Sequence, residues 1–235
     1  MKIQFSRRGG DVWSPIATKN SPGEWLAAIL FAAGSCAFVM AYHDWWRAKT
    51  YSVLTLNESV AHTAYYCIAL AFAFGPLYRF GLLPARAVMV RRTFGIVGVV
   101  CALLHVLLTL LPLWGKYGWE YLAIKHWDLT ALGVANLVLA VWLLKTSLGN
   151  SVQRLGADRW FRLQLTGLAL LPLALAHFIV LGKVAKWADW FAGRDKLPAP
   201  PGTFVIFCVG ALVIALRVVD ALCHVKIHMV PQKKN

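Results

Sequence analysis

Two histidines stand where an ionisable side chain is least expected. His105 interrupts Val99-Val100-Cys101-Ala102-Leu103-Leu104-His105-Val106-Leu107-Leu108, and His177 interrupts Leu173-Ala174-Leu175-Ala176-His177-Phe178-Ile179-Val180. Imidazole is both a titratable group and a common metal ligand. Setting one deep in an apolar run is expensive and marks a functional position. At 1.5 Å per helical residue, His105 lies about 18 Å beyond Thr93 and His177 about 21 Å beyond Leu163. The two runs are read as crossing in the same direction, so the imidazoles come to nearly the same level. Two neutral imidazoles opposed across a helical bundle are the axial ligand set of a b-type haem. The plainer alternative is that each ring hydrogen-bonds a neighbouring helix and binds nothing. A zinc site would want further ligands, and Cys101, one turn before His105, is a weak one by itself.

The elements that must position this pair are membrane spans. Of the 235 residues, 59% are hydrophobic and 14% charged, and the mean hydropathy is +0.61. An ordinary soluble domain is about 25% charged, so a soluble domain, a disordered chain and a disulfide-stapled scaffold are excluded. Apolar runs occupy 25–41, 60–78, 93–114, 129–144, 163–181 and 203–219. Each approaches the roughly 20 residues that a spanning helix requires. Six such helices leave only short connections and no room for a soluble catalytic domain. The expected fold is an all-α, six-helix membrane bundle over residues 25–219, with tails at 1–24 and 220–235. Trp45, Trp46, Trp114, Trp119, Trp127, Trp160, Trp187 and Trp190 crowd the run ends as an interfacial belt does. Pro76, Pro112 and Pro172 are candidate kinks.

The net charge of +14 is spread between the apolar runs rather than massed on one segment. It therefore reads as orientation signal and contact with anionic lipid, not as a nucleic-acid surface. The N-terminal tail, the second and fourth connections and the C-terminal tail taken with Arg217 at the end of the last run each hold four Lys or Arg, and the other three connections hold eight together. That bias places both termini in the cytoplasm and the loops near 43–59, 115–128 and 182–202 outside. The first run is not read as a signal peptide, because His43-Asp44-Trp45-Trp46 follows it instead of a small-residue cleavage site. Arg7-Arg8 lies too far from that run to read as a twin-arginine signal. Cys36, Cys67, Cys101, Cys208 and Cys223 form no CxxC pair and read as packing residues.

Three further groups could do chemistry. Glu58 and His62 are four apart, share one helical face near the outer surface, and could contact a haem propionate or a quinone headgroup; an interfacial pair that only anchors the helix is the simpler reading. Arg91, Arg92 and Arg162, among the basic residues of the inner loops, could hold a flavin phosphate, although positive-inside charge explains them equally well. Cys223-His224 and His228 have a metal-like look but lack further ligands. No phosphate-binding glycine loop and no Ser/His/Asp constellation is present.

Arg91-Arg92-Thr93-Phe94-Gly95 followed by Ala102-Leu103-Leu104-His105 resembles the third span of the ferric-reductase-like membrane family. The nearest branch is that of the haem-binding subunits of periplasmic methionine sulfoxide reductase systems. Phe74-Gly75-Pro76-Leu77 resembles the end of that branch's second span, Leu155-Gly156 with Trp160-Phe161-Arg162-Leu163-Gln164 its fifth-span opening, and Ala176-His177-Phe178 its later histidine motif. The resemblance covers roughly residues 60–220. It implies a six-helix haem carrier that passes electrons to a partner, with His105 and His177 as the outer haem's ligands. Where the two-haem relatives have inner ligands, this chain has Gln164 and Arg91, so one haem b is expected.

The resulting expectation is an electron-transfer subunit of a bacterial inner membrane, not a self-contained enzyme. Its donor would be a quinol or a cytoplasmic flavin reductase, with FMN or a quinone as an added cofactor. Its acceptor would be a periplasmic oxidoreductase or another redox subunit. The rival expectation is a cofactor-less relative serving as a membrane anchor or assembly subunit.

Overall fold

A computed structural model of the chain describes residues 21–47, 50–148, 151–181 and 183–228. Every long element is helical, and no strand occurs among the described residues. Among the described residues six helices are long and apolar enough to cross a membrane, so the protein is a multi-pass membrane protein.

Local sequence sets the helix starts. Helix α1 (Pro22–Trp45) opens on a capping box: the Ser21 hydroxyl accepts from Glu24 N–H, and the Glu24 carboxylate accepts from Ser21 N–H. These contacts satisfy two backbone donors that a helix start otherwise leaves orphaned. Helix α2 (Val53–Arg79) is capped by Ser52 and carries Pro76 in its last turn. Short α3 (Ala85–Met89) leads into α4 (Arg91–Leu110), which stops two residues before Pro112. Next come α5 (Trp114–Tyr117), a π-helical turn over Glu120–Lys125 and α6 (Trp127–Ser147). Beyond α7 (Ser151–Leu155), the fifth span is broken. It consists of α8 (Ala157–Leu165), a 3-10 turn over Thr166–Ala169 and α9 (Leu170–Val180), with Pro172 in the first turn of α9. Finally α10 (Lys183–Phe191) precedes α11 (Gly202–His228), which runs on past the apolar stretch that ends at 219.

Helix α2 is the axis of the molecule. Small residues occur on several of its sides, with Ser59, Thr63, Ala64, Ala69, Ala71, Ala73 and Gly75 all buried, and small residues let membrane helices approach closely. The buried Ser59 and Thr63 hydroxyls donate to carbonyls one turn back, at Thr55 and Ser59. The α2–α4 crossing depends on Gly98, where a Cβ would come to 2.8 Å from Ile68 Cγ1 and 3.1 Å from the Ala64 carbonyl. Large apolar side chains such as Leu30, Phe38, Leu107, Val138 and Leu212 are exposed on the outer surface, as a lipid-facing surface requires.

Four spans close a ring: α2 packs on α4, α4 on α6, α6 on α9, and α9 on α2. Helices α4 and α9 therefore occupy one diagonal of the ring. Helix α1 packs outside on α2 and α4, and α11 packs outside on α2 and α9.

Candidate functional site at one end of the four-helix ring

His105 lies five residues before the end of α4 and His177 three before the end of α9. The diagonal partners run the other way, so their first turns meet these histidines. The His105 Nδ1 sits 2.8 Å from Asn57 Oδ1 and 3.3 Å from the Asn57 carbonyl, both on α2. The His177 Nδ1 sits 3.1 Å from the Leu129 carbonyl on α6. Carbonyl oxygens only accept, so each Nδ1 carries the proton and each Nε2 holds the lone pair. Neither Nε2 makes a hydrogen bond among the described residues. The rings are half-buried and close enough to interact electrostatically.

Asn57 is itself held. Its Nδ2 donates to Thr109 Oγ1 at 3.0 Å, and that hydroxyl donates to the His105 carbonyl at 2.9 Å. One amide thus ties two turns of α4 to the first turn of α2 and fixes the His105 tautomer. On the opposite diagonal, Gly133 lets α6 lie against His177: a Cβ there would sit 3.4 Å from His177 Cε1. Asn136, one turn further along α6, steadies the start of α9. With its amide turned to match its partners, its nitrogen donates to the Leu170 carbonyl at 3.2 Å and its oxygen accepts from Ala174 N–H at 2.9 Å.

A lone pair aimed from a ring whose other nitrogen donates to a carbonyl is the arrangement that metal-bound histidines use. Among the described residues no three His, Cys, Asp or Glu side chains are grouped to hold a bare metal ion. A porphyrin brings four nitrogen ligands of its own, so two imidazoles on a bundle diagonal suffice for haem. The donor set at this site fits that group.

Glu58 and His62 join a different cluster. The Glu58 carboxylate lies 3.9 Å from His43 Nε2 and 3.8 Å from Lys183 Nζ, and the His43 and His62 rings are 5.6 Å apart. Both imidazoles are almost wholly buried, although their sequence positions read as close to water. Residue 202 must lack a side chain here, since a Cβ would come to 2.7 Å from His62 Cε1. Beside them a cavity of about 440 Å³ is lined by Tyr42, Trp46, His62, Tyr66 and the Pro198–Pro200 segment. The cluster borders the histidine ring through Phe178, whose ring is 6.5 Å from His62 and 6.2 Å from His177. Its roof is strapped down by Arg47, which donates to the Ala199 carbonyl at 2.9 Å and to Asp195 at 2.5 Å, and by the Tyr42 hydroxyl on the Pro200 carbonyl. That hydrogen bond from Arg47 holds the Asp195 carboxyl below the ordinary carboxylate range.

At the other end of the ring, Gln164 donates to Thr146 Oγ1 at 2.9 Å and to Ser147 Oγ at 3.2 Å, and Trp160 Nε1 donates to the Thr146 carbonyl. Arg91 stacks 6.0 Å over the Phe72 ring, Arg92 is half-buried and Arg162 is exposed. The side chains of His224 and His228 lie outside the described set, as do residues 1–20 of the N-terminal tail.

The sequence alone undervalued three of these groups: Asn57, Asn136 and His43. An Asn inside an apolar run is the signal that Asn136 offered. The Leu129 acceptor is a backbone carbonyl and left no trace in the residue types. Comparison with models of known families and with curated proteins finds no match to this chain.

Proposed function

We propose that the protein is a one-haem, b-type electron-transfer subunit, with His105 and His177 as the axial ligands. The observation that carries this reading is the pair of imidazoles with Nδ1 spent on carbonyls and Nε2 left over, on one diagonal of one four-helix ring. The resemblance to the ferric-reductase-like family points the same way. When bound, the haem supplies a one-electron iron couple.

The chain's own residues do the rest. Asn57 and the Leu129 carbonyl orient the two rings and raise their basicity. The apolar shell of the ring keeps water from the iron and helps set its potential. Gln164 spends its amide on Thr146 and Ser147, and it lies thirteen residues, about 20 Å of helix, from His177. This supports one haem at the outer end and none at the inner end.

The orientation belongs to the same reading. The outer loops hold eight Lys and Arg, of which Arg47, Lys125, Lys183 and Arg194 are paired with carboxylates. The remaining excess of positive charge lies at the other end, which we place in the cytoplasm of a bacterial inner membrane. The cavity beside His62 supports a quinol as donor, because it is apolar, open at the outer bilayer edge and one aromatic ring from His177. A cytoplasmic flavin reductase is the alternative donor, and a periplasmic oxidoreductase is the acceptor.

The test is single-turnover reduction of the purified, haem-loaded protein. Reduction by a short-chain quinol, slowed in Tyr66→Trp, which narrows the cavity, is the expected result. Reduction only by a reduced flavin at the opposite face would replace the quinol with the reductase. No reduction by either would remove the electron-transfer reading.

A further inference from the structure

The inner end of the bundle gathers more positive charge than it neutralises. Phe72 and Gly75 lie one turn apart on α2. The Arg91 guanidinium stacks over the Phe72 ring. Arg217 from α11 and Arg79 from the last turn of α2 both reach Gly75, where a Cβ would meet Arg217 Nη1 at 3.7 Å and Arg79 Nη1 at 3.8 Å. All three guanidiniums are within electrostatic reach of one another. Facing them, among the described residues, is one carboxylate, Asp220, only 5% exposed. It is engaged by Arg79 as a fork, with Nε donating to Oδ1 at 2.5 Å and Nη2 to Oδ2.

Three guanidiniums against one carboxylate leave an excess of two charges in a region bounded by apolar helix faces. Among the residues whose side chains are described, neither Arg91 nor Arg217 makes a hydrogen bond or a salt bridge. Uncompensated charge of this kind is costly away from water. It is stable when an outside anion supplies the missing acceptors. Guanidinium matches the oxygens of a phosphate group, two donors to two oxygens. Arg217 lies fifteen residues, about 22 Å, along α11 from the Gly202 that touches His62, so its Cα stands within about 8 Å of the far edge of a core about 30 Å thick. From there a long arginine side chain reaches the edge, where phosphates of headgroups and of solutes are both present.

We infer that Arg79, Arg91 and Arg217 form a phosphate-binding site at the inner edge of the bundle, built around the Arg79–Asp220 fork and taking either an anionic phospholipid headgroup or a soluble phosphate compound. The inference is independent of the haem reading, since it uses the opposite end of the ring.

The full chain, purified in neutral detergent and delipidated, is tested by native mass spectrometry with phosphatidylglycerol and phosphatidylcholine, and by thermal melting with inorganic phosphate. A lipid source predicts one phosphatidylglycerol retained in preference to phosphatidylcholine, with no displacement by inorganic phosphate. A soluble source predicts a melting temperature raised by inorganic phosphate, with no preference between the lipids. In either case Arg91→Gln and Arg217→Gln weaken binding about tenfold or more, the loss expected on removing a charge-assisted hydrogen bond. Arg194→Gln, on the far side of the protein, leaves it unchanged. Arg91→Lys and Arg217→Lys keep the charge and serve where the glutamine variants fail to fold; they retain part of the affinity. Wild-type protein that neither selects the anionic lipid nor responds to phosphate overturns the inference, whatever the variants do. So does binding that survives both arginine substitutions.

Discussion

Replacing Asn57 with leucine, close to it in size, removes the strongest hold on His105 without touching either proposed ligand. The lost contact is the 2.8 Å bond from Nδ1 to Oδ1, and with it goes the 3.0 Å bond from Asn57 Nδ2 to Thr109. The 3.3 Å contact of Nδ1 with the residue-57 backbone carbonyl survives, and Thr109 still donates to the His105 carbonyl. Substituting a ligand's outer partner costs metal affinity about 10–100-fold. Because one acceptor remains, the loss falls at the lower end, about tenfold or about 1.4 kcal/mol. The assay is haem titration of the apoprotein in detergent, with the apoprotein melting temperature measured alongside. Asn57→Leu should lower haem affinity while the apoprotein loses only the net worth of one or two hydrogen bonds, about 1 kcal/mol each. Affinity equal to wild type would refute the argument that Asn57 orients the ligand. A fall confined to apoprotein stability would make Asn57 a helix tie and nothing more.

At Gly133 the space allows one methyl and no more, so Gly133→Ala should retain haem and Gly133→Leu should displace the His177 ring and lose it, as judged by haem content after purification. Gly210→Ala would drive a Cβ into the Tyr65 hydroxyl oxygen, which is buried with no hydrogen-bond partner among the described residues. Overpacking of this kind costs about 1–3 kcal/mol, and Tyr65→Phe in the same chain should recover much of it; melting temperatures of the two single variants and the double variant decide. The Arg47–Asp195 strap should respond to acid. Asp195 is held below its ordinary value of 3.8 by the hydrogen bond from Arg47, so its contribution is present above that value and is lost as pH falls through the lower, folded value. Amide exchange over 195–200 should therefore stay slow through pH 4 and quicken only in stronger acid, and Arg47→Gln should remove that protection at all pH values.

The six spans were legible because lipid imposes a composition that few other environments impose, and the apolar runs mark them. The broken fifth span was less so. Pro172 announces a disturbance, but the 3-10 turn at Thr166–Ala169 and the clasp from Asn136 depend on how α6 lies against α9. The levels of His105 and His177 could be counted along their helices, whereas their partners could not: Asn57 and Leu129 each lie 48 residues away in sequence. Charge counting along the chain could not group the arginines for a similar reason. Arg79, Arg91 and Arg217 are far apart in sequence, and only the fold brings the end of α2, the start of α4 and the interior of α11 to one patch. Glu58 and His62 were grouped correctly on one helix, but His43, which completes their cluster, comes from α1 and shows only in the folded chain.

The most direct test of the haem assignment is the reduced-minus-oxidised absorption spectrum of the detergent-purified protein, with haem quantified per chain in wild type, His105→Ala and His177→Ala. The account predicts one low-spin, bis-histidine haem per chain in wild type and its loss in both variants, each of which still folds as judged by helical content. A colourless wild-type protein after expression with ample haem would contradict it, as would a haem signal that persists in both variants.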